Sequence, residues 1–267
     1  MGNICVIGPQ SSGKTTYLAA LTQWSSLAKG INQKKYDIDA IGEDAEKLSG
    51  KAKSIIYQGM SLEPTTVDGG IYSMPTYMFR IQVQQKLRAS VPIDLVVKDY
   101  AGEIFKGLAT GSVPDDQQEF LEDCLRNDVD GCLLMLTEWK RGTDEFYEQA
   151  IETFIRLMNN QDRLKNYRIA VVMSKCERGE LWPGRLEPEM DLFNVHLPRM
   201  SSLLRRKIPK QNLRFFAVST FGVLSRNDPR PNRVDEMGKE RTKSVLRKPS
   251  AWQPYELIAP LHWLSRG

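Results

Sequence analysis

The most constraining feature of this chain is the stretch GPQSSGKTTY at residues 8–17, which directly follows the apolar run Asn3–Ile7. Four of its residues fit the spacing G-x-x-x-x-G-K-[ST]: Gly8, Gly13, Lys14 and Thr15. A loop with this spacing directs its backbone N–H groups at a bound anion. Apolar residues at helical spacing follow, up to about residue 27. The sequence therefore predicts a buried strand, a phosphate-binding loop and a helix.

Each residue type in this motif has a physical task. Gly8 and Gly13 allow backbone angles and a close approach that a side chain would block. Amides at the start of the helix offer hydrogen bonds and a positive dipole end to a β-phosphate. We expect Lys14 to reach the β- and γ-phosphates and the Thr15 hydroxyl to be a Mg²⁺ ligand. The residues expected to hold the phosphates are Gly8, Gln10, Ser11, Ser12, Gly13, Lys14, Thr15 and Thr16.

Apolar strands alternate with helical segments along most of the chain. Almost every residue is apolar in Ile93–Val97, Cys132–Leu136 and Ile169–Met173, as in strands buried on both faces of a parallel sheet. The run Tyr77–Gln84 alternates instead, which is typical of a half-exposed strand. The pattern predicts an α/β P-loop NTPase fold in three α/β/α layers, with a mostly parallel sheet and one antiparallel edge strand.

We expect a single domain over residues 1–267. An insertion is expected at 30–70, with a helix over Glu43–Ile56, and an exposed, mobile basic loop at 226–250 because that stretch is rich in Arg, Lys, Pro and Asn. Other expected elements are a loop at 102–114, helices over 115–126, 143–158 and 189–206, a strand over 215–218 and a last helix within 251–267.

A second phosphate-site signal is IDLVVKDYAGE, in which Asp99 ends an apolar strand and Gly102 follows three residues later. A carboxylate at that place can hold Mg²⁺, and the glycine amide can sense a γ-phosphate. The four residues from Asp99 to Gly102 indicate a phosphate site because they lie at a strand end and follow the P-loop in the sequence. We therefore expect Asp99 to lie beside Thr15.

Composition excludes several other classes of function. The net charge of +4 comes from 37 basic and 33 acidic residues, an excess too small to require a nucleic-acid or membrane partner. The four cysteines show no metal-ligand spacing, and the two histidines belong to no Ser/His/Asp or Cys/His arrangement. No apolar run has the length of a membrane span, and no secretory signal is present. A cytoplasmic location is therefore expected.

The ordered motifs GPQSSGKT, EPTT, DYAGE, SKCE and VST resemble the nucleotide motifs of the Ras-like, translation-factor-related GTPases. Further details, including GPQSSGKTTYLAAL and the terminal PYELIAPLHWL, look closer to the bacterial double-GTPase families. The resemblance covers nearly the whole chain. It implies GTP and GDP as ligands, Mg²⁺ as cofactor, and membership of a multi-gene bacterial conflict or signalling system.

The resemblance also implies roles for individual residues. Thr65 or Thr66, with Thr66 preferred, would be the switch threonine that closes on Mg²⁺ and the γ-phosphate. Asp99 and Gly102 would form the second switch. Lys175 and Glu177 would occupy the guanine-reading motif, where the lysine stem packs on the base and the acid accepts from N1–H and the amino group. The base would also be supported by Ser219 and Thr220.

Three departures from the family pattern bear on activity. The guanine motif reads Ser174-Lys175-Cys176-Glu177, so a glutamate stands where an aspartate is usual. Gln10 stands where Ras proteins keep a glycine, and would crowd an arginine finger. Glu103 stands at the place of the water-positioning glutamine and brings a negative charge towards the γ-phosphate. Slow intrinsic hydrolysis is therefore expected, with Lys14, Thr66, Gly102 and Glu103 as the catalytic set.

Two alternatives stay open at this point. One is a scaffold that holds GTP or GDP without turnover, which Gln10 and Glu103 favour. The other is an ATP-using P-loop enzyme such as a small-molecule kinase, although no arginine-rich lid is seen in the sequence. The leading expectation is a slow GTPase whose switch loops control a protein partner.

Overall fold

A computed structural model describes residues 2–23, 36–58, 75–83, 93–99, 102–111, 113, 115–137, 140–237 and 242–265. Within these ranges the chain builds a central sheet with helices on both faces. The strands are β1 (Gly2–Ile7), β2 (Tyr36–Ile41), β3 (Thr76–Val83), β4 (Ile93–Asp99), β5 (Gly131–Leu136), β6 (Arg168–Met173) and β7 (Leu213–Ala217). Their order across the sheet is β2-β3-β4-β1-β5-β6-β7.

The sheet is mostly parallel, which confirms the predicted fold class. Strands β4, β1, β5, β6 and β7 run parallel to one another, and β3 is antiparallel to both β2 and β4. Strand β2 lies outside β3, so the antiparallel strand is second from the edge. β1 lies between β4 and β5, and its Val6 is in register with Asp99.

Helices cover both faces of the sheet because successive strand residues point to opposite sides. The helices are α1 (Lys14–Thr22), α2 (Glu43–Gln58), α3 (Gly102–Thr110), α4 (Asp115–Cys124), α5 (Thr143–Asn160), α6 (Pro198–Lys207) and α7 (Ala259–Ser265). Cys5 and Ile7 of β1 pack with α3, α4, α5 and α6, whereas Ile4 and Val6 pack with α1, α2 and α7. Both faces of β1 are therefore buried, as its apolar sequence predicts.

The predicted insertion supplies part of the sheet and one helix. The helix expected over Glu43–Ile56 is α2, and its buried side chains Ala45, Leu48 and Ala52 belong to the same core as those of α1. Strand β2 was not predicted, because its sequence alternates only briefly after a lysine-rich stretch. The loop expected after α2, with EPTT, lies outside the described residues.

The loop predicted at 102–114 is wrong over its first part, because Gly102–Thr110 forms α3. Ile104, Phe105 and Leu108 lie at helical spacing, and all three are buried. The Phe105 ring meets Tyr147 of α5 edge to face, with centroids 5.8 Å apart. Packing against α5 thus outweighs the helix cost of the glycines in this stretch.

The helix predicted over 189–206 is interrupted. Helical turns at Glu189–Phe193 and Asn194–His196 precede α6, and Leu197 between them has φ −134° and ψ 53°. Pro198 follows Leu197, and the ring of a proline disfavours the α conformation in the residue before it. Pro198 therefore accounts for the break at Leu197.

The stretch 226–250, predicted as an exposed, mobile loop, contains an antiparallel hairpin. Strand β8 (Arg233–Met237) pairs with β9 (Thr242–Leu246). Asn232 is fully buried and Leu246 is 6% exposed. The last helix expected within 251–267 is α7, which packs its Leu261 and Leu264 into the core on the α1 side. None of the helices in the described ranges has the length and apolar character needed to cross a bilayer.

Candidate functional site

The carboxyl ends of five parallel strands meet at one edge of the sheet, where ligands of open α/β sheets bind. The P-loop follows β1, Asp99 ends β4, the SKCE motif follows β6, and Ser219 follows β7. Parallel pairing therefore brings together motifs that are far apart along the chain. Thr65 and Thr66, the candidate switch threonines, lie outside the described residues.

The P-loop depends on two glycines for different reasons. A Cβ on Gly8 would lie 2.1 Å from the carbonyl oxygen of Met135, so the end of β1 needs a residue without a side chain. Gly13 has φ +90°, in the left-handed region that favours glycine, and directly precedes α1. Ser11 is also left-handed, at φ +62°. The loop thus curves tightly before the helix N-terminus, as a phosphate cradle requires.

Lys14 lies across this loop and is buried. Its ammonium donates to the carbonyl oxygen of Gly8 at 3.0 Å and to that of Pro9 at 3.3 Å. Burial lowers the pKa of Lys14, and the nearby carboxylate of Asp99 partly offsets this. An ammonium held at the mouth of an amide-rich loop is placed to contact an anionic ligand there.

Asp99 and Thr15 are in direct contact, as the sequence predicts. The Thr15 hydroxyl donates to Asp99 Oδ2 at 3.0 Å, and Asp99 is fully buried. Its other oxygen, Oδ1, has no hydrogen-bond partner among the described residues. Burial raises the pKa of Asp99, while Lys14 and the Thr15 hydroxyl act to lower it. A buried oxygen of this kind requires a cation or a donor.

This pair fits a magnesium ion by its chemistry. Mg²⁺ prefers oxygen ligands and is commonly held by one or two protein groups together with substrate phosphates and waters. Thr15 and Asp99 supply a hydroxyl and a carboxylate, and Asp99 Oδ1 has no protein partner in the described ranges. No group of three His, Cys, Asp or Glu side chains in those ranges forms a larger metal cluster.

The start of α3 touches the P-loop through its backbone. A Cβ on Gly102 would lie 2.5 Å from the amide nitrogen of Gln10. Both Gln10 and Glu103 are exposed, and Glu103 is in the first turn of α3. The two positions that depart from the Ras-like pattern are thus neighbours at the mouth of the loop.

The SKCE motif contacts the P-loop from the other side. The Ser174 hydroxyl contacts two carbonyl oxygens, those of Ser12 at 2.8 Å and Leu136 at 2.9 Å. The Lys175 ammonium donates to the Ser11 carbonyl at 2.7 Å, and Lys175 has φ +56°. Burial, together with the positive charges of Arg233 and Arg178, lowers the pKa of Lys175 to about 8. Lys175 therefore spans from the end of β6 to the phosphate loop.

Glu177 is the most unusual charged residue of the site. It is fully buried, and neither carboxylate oxygen has a hydrogen-bond partner among the described residues. One cation is close: Arg233 Nη1 lies 3.6 Å from Glu177 Oε1. A buried acceptor pair without donors is costly to maintain. Two adjacent N–H groups on a ligand would remove that cost.

Ser219 and Thr220 support this end through the backbone. Ser219 exchanges two main-chain hydrogen bonds with Tyr255, at 3.0 and 2.8 Å, and its hydroxyl accepts from the amide of Gly222 at 2.7 Å. The Thr220 carbonyl accepts from the indole N–H of Trp252 at 2.8 Å. These contacts fix the loop after β7 beside Cys176, whose amide donates to the Val218 carbonyl.

Arg233, which the structure brings to Glu177, could not be predicted from the sequence. No short motif marks this arginine, because it stands in a basic stretch whose composition resembles that of a solvated loop. The returning strand carries one adjacent apolar pair, Val245 and Leu246, which is too short to predict a hairpin. The remaining predicted site residues, Ser12 and Thr16, lie in the P-loop and in the first turn of α1.

The geometry can be compared with known proteins. A profile of the family described as Double-GTPase 1 matches residues 5–144, slightly more than half of the chain. That match contains the P-loop and Asp99, and ends at the start of α5. No curated protein matches the chain.

Solved structures of GTPases resemble it at low identity. The GTP-bound Ski7 GTPase-like domain of S. cerevisiae is 15% identical, with a TM-score of 0.42 over 90% of this chain and 47% of that one. Sup35 complexed with GDP is 13% identical, with a TM-score of 0.35 over 90% and 40%. The signal recognition particle receptor SRb-GTP/SRX complex from Chaetomium thermophilum is 11% identical, with a TM-score of 0.40 over 83% and 92%. The chain thus spans well under half the length of the Sup35 chain.

Proposed function

Because the chain belongs to the Double-GTPase 1 family, we propose that it binds GTP and GDP with Mg²⁺, hydrolyses GTP slowly and acts as a nucleotide-controlled switch for a protein partner. The observation that carries this proposal is the contact between Thr15 and Asp99 beside the buried Lys14. It joins the P-loop to the end of β4 at a place where a polyphosphate and its cation are needed together.

The phosphate end of the site is assigned to the P-loop. Amides from Ser11 to Thr16 would donate to the β-phosphate, with the N-terminus of α1 adding its dipole. Lys14 would exchange its bonds to the Gly8 and Pro9 carbonyls for bonds to the β- and γ-phosphates. Ser12 adds a buried hydroxyl that has no partner among the described residues.

Thr15 and Asp99 are the proposed protein ligands of Mg²⁺, with Thr66 as a third from the switch. When bound, this ion neutralises charge that develops on the phosphates during phosphoryl transfer. The buried Asp99 Oδ1 is the specific atom that supports the assignment, since it otherwise lacks a partner. Gly102 would offer its amide to the γ-phosphate, so that α3 senses the nucleotide state.

The base end is assigned to SKCE and the loop after β7. Glu177 would accept from guanine N1–H and the 2-amino group, which replace its missing donors. The Lys175 stem would pack on the base, and Ser219 and Thr220 would close the site from the other side. This set would favour guanine over adenine, whose N1 is an acceptor.

Hydrolysis would proceed by in-line attack of water, and slowly. Glu103 stands exposed at the start of α3 and could orient water, but its charge opposes approach to the γ-phosphate. Gln10 lies against Gly102 and leaves little room for an arginine supplied by a partner. The partner would therefore respond mainly to the position of α3 and of the switch threonine, within a cytoplasmic bacterial defence or signalling system.

A second candidate is a GTP- or GDP-holding scaffold without turnover. The same exposed carboxylate of Glu103 favours it, because no neutral water-positioning side chain stands at that place. Phosphate release measured with and without the products of neighbouring genes separates the two. Phosphate release above background in either condition supports the switch. The absence of phosphate release in both conditions supports the scaffold.

The assignment is tested first by competition. ATP and GTP compete for the site against a labelled GTP analogue, and we expect GTP to displace it at far lower concentration. Displacement by ATP at equal concentration would favour an ATP-using enzyme, the third candidate.

Lys14→Ala then tests the phosphate end. Loss of two charge-assisted contacts should weaken GTP binding by about 3 kcal/mol, roughly a hundredfold, in calorimetric titration. Lys165→Ala, on the exposed loop before β6 at the opposite edge of the sheet, is the matched control and should bind GTP normally. Unchanged GTP binding by Lys14→Ala would refute the assignment.

A further inference from the structure

The hairpin β8–β9 contributes a buried ion pair to the base end of the site. Arg233 Nη1 lies 3.6 Å from Glu177 Oε1, and the two side chains are 7% and 0% exposed. In the described part of the chain, no other cation lies within ion-pair distance of Glu177. This pair joins the candidate base-reading acid to a segment outside the nucleotide motifs.

Arg233 is held from behind by its own hairpin. Its Nε donates to Asp235 Oδ1 at 2.5 Å, and the same oxygen accepts from the Ser244 hydroxyl at 2.8 Å. Its guanidinium lies 5.7 Å from the centre of the Phe221 ring. Nη1, which faces Glu177, has no hydrogen-bond partner in the described ranges. The orientation of the guanidinium is therefore set without any contribution from Glu177.

Asn232 fixes the hairpin to the loop after β7. Its amide donates to the Gly222 carbonyl at 2.9 Å, its side-chain nitrogen donates to the Lys248 carbonyl at 3.1 Å, and its side-chain oxygen accepts from the Lys248 amide at 2.7 Å. Asn232 is fully buried, so water does not compete for these bonds. The backbone of Arg233 is thereby tied to the same loop that carries Ser219.

Glu177 needs such a neighbour because its carboxylate is fully buried and neither oxygen has a hydrogen-bond partner in the described ranges. Glutamate also has one more rotatable bond than the aspartate usual at this position, so its carboxylate can swing away from a ligand. A fixed guanidinium beside Oε1 opposes that movement and leaves Oε2 unpaired.

We propose that Arg233 is a positioning residue for guanine recognition, which holds the carboxylate of Glu177 in one orientation towards the base. The hairpin β8–β9 is then part of the specificity of the site. This inference rests on the proposed function, since it assumes that Glu177 reads guanine. Guanine presents N1–H and a 2-amino group, hypoxanthine presents N1–H alone, and adenine presents neither at these positions.

The test measures GDP, IDP and ADP binding to the full chain with Mg²⁺ by calorimetric titration. Arg233→Met keeps an unbranched, flexible stem and removes the charge, and Arg233→Lys restores the charge. We expect Arg233→Met to lower the ratio of GDP to IDP affinity by about tenfold, the contribution of one hydrogen bond to a charged group, and Arg233→Lys to recover most of it. Arg230→Met is the control, because Arg230 pairs with Asp228 on the surface.

The ratio of GDP to IDP affinity shows whether Arg233 positions Glu177 or only stabilises the fold. The proposal is overturned if Arg233→Met lowers the affinities for GDP and IDP by the same factor, or if it lowers neither affinity. Asp235→Asn provides a second route if Arg233→Met does not fold: it leaves Arg233 in place but removes the charge that orients it, and should lower the same ratio by less. An unchanged ratio there would also overturn the proposal. Wild-type protein that binds ADP as tightly as GDP contradicts the proposed function instead, before any variant is compared.

Discussion

The two ends of the proposed nucleotide site, the phosphate end and the base end, are built in different ways. At the phosphate end, one continuous loop contacts itself through Lys14, which bonds to carbonyls five and six residues away, and the distant Asp99 bonds to Thr15. At the base end, Glu177 depends on Arg233 and on a loop held by Tyr255. The first end is specified by backbone shape, and the second by buried charges that long-range packing brings together. Substitutions should therefore act sterically at one end and electrostatically at the other.

The largest effect is expected from Gly8→Ala. The added methyl group would lie 2.1 Å from the Met135 carbonyl oxygen, and Met135 belongs to β5, whose backbone pairs with β6 in the sheet. We expect a loss of about 3 kcal/mol in the free energy of unfolding, measured by urea denaturation, together with loss of GTP binding.

Gly50→Ala is the matched control for this steric argument. Gly50 is exposed in α2, and nothing lies within 4 Å of an added Cβ. Replacing a helical glycine there should instead stabilise the protein by about 0.5–1 kcal/mol. A Gly8→Ala protein as stable as wild type would show that the loop is not specified by close backbone approach.

Glu177→Gln tests the electrostatic end with a smaller expected effect. The amide can accept one hydrogen bond from guanine but sets its own NH₂ against the other donor. GDP affinity should fall by about 2 kcal/mol, whereas XDP, which has an oxygen in place of the 2-amino group, should gain affinity. Competition between GDP and XDP for a labelled nucleotide measures both changes.

The exposed Glu187 supplies the control for that change of charge, and Glu187→Gln should leave the preference for GDP intact. If Glu177→Gln still prefers GDP over XDP by the wild-type factor, then Glu177 does not face the base. The residue that reads the base would then have to be sought elsewhere at the base end.

The smallest effect concerns Lys175, which links the two ends through its bond to Ser11. Its pKa is lowered from 10.5 to about 8 by burial and by Arg233 and Arg178. Above that pH the unfolded chain keeps the proton that the native state has lost, so rising pH favours the native state. Relative to Lys175→Gln, the wild type should therefore gain up to about 1 kcal/mol in unfolding free energy between about pH 7.5 and about pH 9.5.

Urea denaturation without nucleotide at the two pH values measures this difference. Glutamine keeps a donor for the Ser11 carbonyl, so the variant removes the charge with little loss of contact. A difference between the two proteins that does not change with pH would mean that the Lys175 ammonium is not destabilised by its surroundings.

The phosphate end of the site can be predicted from the sequence to a greater extent than the base end. The strand, loop and helix around Gly8 could be predicted because the motif, its flanking apolar run and its helical spacing are all local. Asp99 could be placed beside Thr15 because two parallel strands end at the same edge. Glu177 was correctly assigned to the strand end after β6, although its burial could not be read from sequence.

The failures lie where tertiary contacts override local composition. Gly102 and Gly107 indicate a loop, yet the burial of Ile104 and Phe105 makes the segment helical. Arg233 stands in a stretch with few apolar residues, and its buried place beside Glu177 follows from the pairing of β8 with β9 and from the contacts of Asn232 with the loop after β7. No period or short motif encodes such a pair, so only the folded chain reveals it.

The hydrogen bond from the Tyr17 hydroxyl to the Leu257 carbonyl, together with the Ser219–Tyr255 bridge, has a consequence for biosynthesis. A ribosome releases the P-loop long before it releases the segment that supports α1 and the base end. Full nucleotide affinity can therefore arise only when translation has passed residue 257. A nascent chain stalled before that point should gain little protection from GTP against a protease.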